Sequence, residues 1–163
     1  MSYARFAAMI AVSTLVMYGL MYLNTWALDH VFFSQTRAWM AVLMGAVMAA
    51  IMLTFMWSMY RDKRANVAIV VTAAVAFAGS LWLVRSQETV GDVSYMEAMI
   101  PHHSIAVMTS ERAHIKDPRV RKLADGIIEA QVREIGEMKQ LIADLESKPT
   151  RSDAKDLPPR PAQ

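Results

Sequence analysis

Residues 38–60 read AWMAVLMGAVMAAIMLTFMWSMY, a run without a single charge. An α-helix rises about 1.5 Å per residue, so about 20 apolar residues cross the ~30 Å hydrocarbon core of a bilayer. Two more uncharged runs flank this one, at 6–28 and 65–84. We read all three as transmembrane helices. The first also has features of a secretory signal, since Arg5 precedes it and Thr25-Trp26-Ala27 loosely matches a cleavage site. Its apolar stretch is longer than a typical signal core and two spans follow, so it is read as a retained helix.

Charge is placed as unevenly as hydropathy. Residues 1–84 carry Arg5, Arg37, Arg61, Lys63 and Arg64 against Asp29 and Asp62, whereas 85–163 hold the remaining basic and acidic side chains in near balance. The overall 55% hydrophobic and 20% charged composition therefore describes neither half. With three spans, the N-terminus and the 61–65 loop share one side and most of the basic residues, against Arg37 alone in the 29–37 loop. Basic loops mark the cytoplasmic side, so the second half is expected on the periplasmic face of a bacterial inner membrane. The chain has no cysteine. Disulfides and thiolate ligands are excluded, and soft-ligand chemistry falls to methionine.

The second half reads as a helical hairpin. Ser94 and Glu97 fit a capping box opening a helix over about 95–114, after a polar link at 85–93. Asp117 and Pro118 fit the N-cap and first position of a second helix running to about 146. Along that helix Val120, Ala124, Ile127, Gln131, Glu134, Met138, Leu141 and Leu145 alternate spacings of four and three, the seam of shallowly crossing helices. Gln131 and Glu134 are polar members of the seam and require an answer from the facing helix. Its matching seam is Met96, Met99, His103, Ala106, Ser110 and Ala113. An antiparallel turn near residue 116 brings His102 and His103 toward Gln131 and Glu134, and Met138 toward Met96. The fold expected is all-α: transmembrane residues 1–84, a hairpin over 85–147, and a disordered, proline-rich tail over 148–163.

The hairpin's first helix contains MEAMIPHHSIAVM, residues 96–108. Thioether sulfur and imidazole nitrogen together suit monovalent copper, and silver behaves alike. Met96, Met99 and His103 are spaced to share a helix face, and Pro101 is expected to bend the helix beside them. A glutamate or glutamine accepting from the far ring nitrogen would orient a histidine ligand. The plainer alternative is core methionine plus a hydrogen-bonded His–Glu pair. Met108 lies about 180° from Met99 around the helix, which requires a kink, the membrane or another subunit for any shared role.

Met99-Ile-Pro-His102-His103 with Ala106, followed by Ala130-Gln131, Glu134-Ile135 and Met138, resembles domain-of-unknown-function family 305 over roughly 90–145. The resemblance implies a ferritin-like helical domain, usually outside the cytoplasm and linked in studied members to copper. It makes Met99, His102, His103, Met108 and Met138 candidate ligands, with Gln131 and Glu134 in support; Met96 joins them from helix geometry. This chain differs from longer members in having one hairpin after three spans.

Other features are weaker. Met40, Met44, Met48, Met52 and Met56 form a ladder along the second span that suggests a sulfur relay, but Ala41, Gly45 and Ala49 form a neighbouring small-residue stripe that suits helix packing. His30, beside Asp29 in the outer loop, is a candidate for delivering metal. Glu111 and His114 make one Glu-x-x-His where di-iron bundles use two, and no nucleotide-binding or nucleophile motif occurs, so no enzyme is expected. The slightly acidic second half disfavours nucleic acid. The function expected is monovalent copper or silver binding for buffering, handover or tolerance, with a metal-free interaction module as the alternative. The partners expected are the metal ion, the bilayer, and either a second copy building a four-helix bundle or a copper-handling membrane protein.

Overall fold

In a computed structural model, which describes residues 2–151 and 153–159, the chain is helical, and no strand occurs among the described residues. Helices α1 (Tyr3–Leu20), α2 (Gln35–Phe55) and α3 (Lys63–Ser86) are each long and apolar enough to cross a membrane. They hide little of that apolar surface from their surroundings: Leu15, Val71 and Val75 are all more than half exposed, as side chains facing lipid are. Helices α4 (Asp92–Arg112) and α5 (Pro118–Ser147) pair as the hairpin.

Within the apolar unit α2 packs between α1 and α3. Its small residues let it approach, since Ala41, Gly45 and Ala46 are buried and a Cβ on Gly45 would collide with the Thr14 hydroxyl of α1. At the end of the unit away from the hairpin, Tyr3 donates to the Asp62 carbonyl at 3.1 Å and to Asn66 Oδ1 at 2.8 Å, tying the start of α1 to the start of α3. Phe6, Leu53 and Tyr60 form a small core beside it, with Met52 and Met56 against them. Two rungs of the methionine ladder are thus packed against that core.

The first apolar run does not stay helical to residue 28. Its helix ends at Leu20, and residues 21–34 form a loop containing one turn of 3₁₀-helix at Leu28–His30. The Thr25 hydroxyl donates to the Tyr22 carbonyl at 3.0 Å there, a local side-chain bond that competes with continuing the helix. Phe32 packs against Met96, Ile100, Ile135 and Ile142 of the hairpin. The Trp26 backbone N–H donates to Ser104 Oγ at 2.7 Å, its indole N–H to Glu111 Oε2 at 2.6 Å, and Lys139 Nζ to Asp29 Oδ2 at 2.6 Å. The hairpin core is therefore completed by the first loop, across the boundary drawn between residues 84 and 85.

The hairpin starts differently from its sequence signal. α4 begins at Asp92 with Gly91 as N-cap, so Ser94 and Glu97 make no capping box. Asp92 in the first turn suits the positive helix end, and the Ser94 hydroxyl instead accepts from Gln35 Nε2 at 3.4 Å. The second start is as read: Asp117 Oδ1 accepts from the Arg119 backbone N–H at 2.8 Å, and Pro118 opens α5. Residues 149–151 and 153–159 of the tail contain neither helix nor strand; its residues 152 and 160–163 lie outside the described ones.

Candidate metal centre

The α4–α5 seam is rotated by about one residue from the expected one. On α4, Met96, Ile100, His103 and Val107 are buried while Met99 and Ala106 are half-buried; on α5, Ala124, Ile135 and Ile142 are buried while Val120, Ile127 and Leu141 are exposed. α5 carries two adjacent heptad stripes, Ala124–Ile128–Gln131–Ile135–Met138–Ile142 beside Val120–Leu123–Ile127–Glu134–Leu141, and the first is the one that meets α4. Residue-type periodicity blends the two. Partner geometry separates them.

Met96 and Met138 meet in one apolar cluster with Ile100, Ile135 and Ile142, as their levels in the hairpin require. His103 follows one turn further along, only 9% exposed. Its Nδ1 lies 3.0 Å from the Met99 carbonyl oxygen, which can only accept, so Nδ1 carries a proton. Its Nε2 lies 2.8 Å from Glu134 Oε2, and one proton sits between those two atoms. Glu134 thus orients the imidazole, the arrangement by which a carboxylate orients a histidine ligand. Both ring nitrogens are engaged, and coordination through Nε2 requires Glu134 to turn aside. Gln131 is half-buried and makes no hydrogen bond among the described residues.

His102 is the opposite case. Its ring is exposed, has no hydrogen-bond partner among the described residues, and stands edge-on to His103 with centroids 6.3 Å apart. Met99, half-buried, is three residues before it on the same side of α4. Met108 stands elsewhere: it shares its helix face with Ser104 and Glu111, the two residues that Trp26 bonds. The geometry therefore groups Met96 with Met138, His103 with Glu134, and Met99 with His102, and keeps Met108 apart. Among the described residues no three His, Asp or Glu side chains converge as a metal site.

The outer-loop histidine is built into the structure. His30 is 7% exposed, stacks on Trp26 and sets Nδ1 3.0 Å from Ser104 Oγ. Burial, reinforced by the Lys139 ammonium, holds its pKa below the ordinary 6.5 despite Asp29. Ser104, which receives His30, and Lys139, which receives the neighbouring Asp29, were not expected from the sequence; a serine among the aliphatic residues of α4 was the available signal. The Glu-x-x-His pair is divided, because Glu111 is bonded to Trp26 and His114 lies beyond the end of α4.

Three apolar helices followed by a helical hairpin whose polar seam joins a histidine to a glutamate define the class. Residues 92–161, beginning where α4 begins, match the family described as Domain of unknown function (DUF305). The chain is also similar to "Uncharacterized protein L153" of Acanthamoeba polyphaga mimivirus, 39% identical over 64 residues, which are 38% of this chain and 42% of that protein. The chain thus spans about two-fifths of that relative's length. No solved structure matches it significantly.

Proposed function

We infer that the protein is anchored in a bacterial inner membrane by α1–α3, with the α4–α5 hairpin on the periplasmic side, and that the hairpin binds monovalent copper or silver through methionine and histidine. Binding, not turnover, is the activity. The observation that carries the reading is the pair Met99 and His102, a thioether and an unpartnered imidazole on one open turn of α4, next to the Glu134-oriented His103. Met96 and Met138 supply further thioethers one to two turns toward the hairpin base. Soft monovalent ions favour this donor set, and it needs no thiolate in an oxidising compartment. Placement of the basic 61–64 loop at the end of the helices opposite the hairpin agrees with this orientation. The physiological roles that follow are buffering or handover of copper under metal stress.

Because Phe32 and Trp26 belong to the hairpin's packing, the test uses the full chain in detergent. Wild type and the Met99, His102, His103 triple alanine variant are titrated with monovalent copper against a colourimetric chelator. Stoichiometric binding lost in the variant supports the reading; unchanged affinity sinks it. One observation favours the second reading, a metal-free interaction module: both nitrogens of His103 are already hydrogen-bonded. Under it, replacing Gln131 and Glu134 by leucine changes assembly or stability while added metal changes neither.

A further inference from the structure

The turn between α2 and α3 contains Arg61-Asp62-Lys63-Arg64, and all four residues are exposed. Asp62 uses its carboxylate on α3 itself, where Oδ1 accepts from the backbone N–H groups of Arg64 and Ala65 at 2.9 and 3.2 Å. Arg61, Lys63 and Arg64 have no ion-pair partner among the described residues. Lys63 and Arg64 also occupy the first turn of α3, the positive end of the helix dipole, where cations are disfavoured. The charge bias of membrane loops accounts for the side these residues take, but it does not require two of them at that helix end. An anion from outside the chain answers both cations.

The surface beside them is apolar. Lys63, Arg64, Val67, Ala68, Val71 and Thr72 line one shallow concave strip of about 600 Å³ on α3, in which Val67 and Val71 are more than half exposed. From Lys63 to Thr72 the helix rises about 14 Å, roughly half of the ~30 Å hydrocarbon core of a bilayer. The strip therefore runs from headgroup level to the middle of the membrane, the depth of one leaflet.

We propose that this strip binds an anionic phospholipid, its phosphate between the Lys63 ammonium and the Arg64 guanidinium and one acyl chain along Val67, Ala68 and Val71. The proposal rests on the reading of α1–α3 as membrane spans. Because Asp62 already takes the N–H groups of Arg64 and Ala65, recognition falls to the two cationic side chains, through charge-assisted hydrogen bonds to the phosphate oxygens. Tyr3 of α1 donates to the Asp62 carbonyl and to Asn66 in this same first turn. A bound headgroup thus steadies the junction of α1 with α3.

The full chain is reconstituted in vesicles of phosphatidylcholine with a minor share of phosphatidylglycerol of the same acyl chains, then extracted in mild detergent, and the lipid it retains is identified by native mass spectrometry. Wild type is compared with Lys63→Gln/Arg64→Gln and with Lys148→Gln/Lys155→Gln, which removes the same charge from exposed positions after α5. All four side chains are exposed, so retained helicity establishes that each variant folds. Wild type and the second variant should keep phosphatidylglycerol about tenfold beyond its share, while the first variant keeps the two lipids in proportion to their supply. Added phosphatidylglycerol should raise the melting temperature of wild type and leave that of Lys63→Gln/Arg64→Gln unchanged; without it this variant melts no lower than wild type, having lost the clash with the helix dipole. Enrichment that survives in the first variant, or that disappears from the second as well, overturns the strip as the site. Soluble glycerophosphate giving the same thermal gain overturns the lipid as its occupant. A chain that enters the vesicles without enrichment overturns the proposal and leaves the spans standing, whereas a chain that does not enter them overturns both.

Discussion

The Nε2 of His103 lies 2.8 Å from Oε2 of Glu134 across the α4–α5 interface, and the same ring reaches back through Nδ1 to the Met99 carbonyl. The pair joins the two helices at a level where an apolar residue would otherwise sit. Glu134→Ala leaves a buried ring nitrogen without its partner, at a cost of about 1–3 kcal/mol. Replacing both residues by leucine recovers most of that loss, because no polar atom is then stranded. Thermal melts of the full chain in detergent, arranged as a double-mutant cycle, read the coupling; additive effects would show that the pair does not act as a unit.

Phe32 predicts that the hairpin depends on the first loop. Half-buried against Met96, Ile100, Ile135 and Ile142, it contributes less than a fully enclosed phenylalanine. Phe32→Ala should cost about 1–3 kcal/mol. Hydrogen exchange of α4 and α5 should accelerate in that variant, and an excised 85–147 segment should exchange faster still. Equal protection in all three proteins would contradict the docking.

His30 makes that docking pH-dependent. Its pKa is lowered in the folded state, so the unfolded or undocked chain binds the proton more readily. Stability is complete above the ordinary value of 6.5 and falls as pH drops below it toward the depressed folded value. Asp29 is held low by its bond from Lys139 and stays ionised through this window. Exchange of loop 21–34 should therefore rise between neutral and mildly acid pH, and His30→Gln should flatten the dependence. A loop equally protected at both pH values would refute the prediction.

In the apolar unit Gly45 and Thr14 form a test of α1–α2 packing. Gly45→Ala drives a methyl into the Thr14 hydroxyl and should lower the melting temperature, whereas Gly45→Ala with Thr14→Ala should restore much of it. Failure of the second change to compensate would place the sensitivity of Gly45 elsewhere.

The parts legible in sequence were those set by local chemistry. Uncharged runs located three helices, Asp117-Pro118 located the start of α5, and hairpin levels brought Met96 to Met138 and the histidine pair toward Gln131 and Glu134, of which only His103 and Glu134 bond. Parts governed by distant packing were not. Residues 21–28 continue the apolar run, yet Trp26 is hydrogen-bonded to Ser104 and Glu111 of the hairpin, and Phe32 packs on the hairpin core. Ser94 and Glu97 fit a capping box, but α4 starts at Asp92. Two adjacent stripes on α5 looked like one broad seam, because periodicity records which residues are apolar and not which of them face α4. Copper binding is the proposal that the methionine and histidine ligand types of α4 motivate, and coordination chemistry tests it.

X-ray absorption at the copper edge, on the full chain loaded with monovalent copper in detergent, tests that chemistry most directly. The account predicts sulfur and imidazole nitrogen together around the ion, with the sulfur contribution falling in Met99→Leu and the imidazole contribution falling in His102→Ala. A shell of nitrogen and oxygen alone, or a spectrum unchanged in both variants, would contradict a methionine–histidine centre on α4.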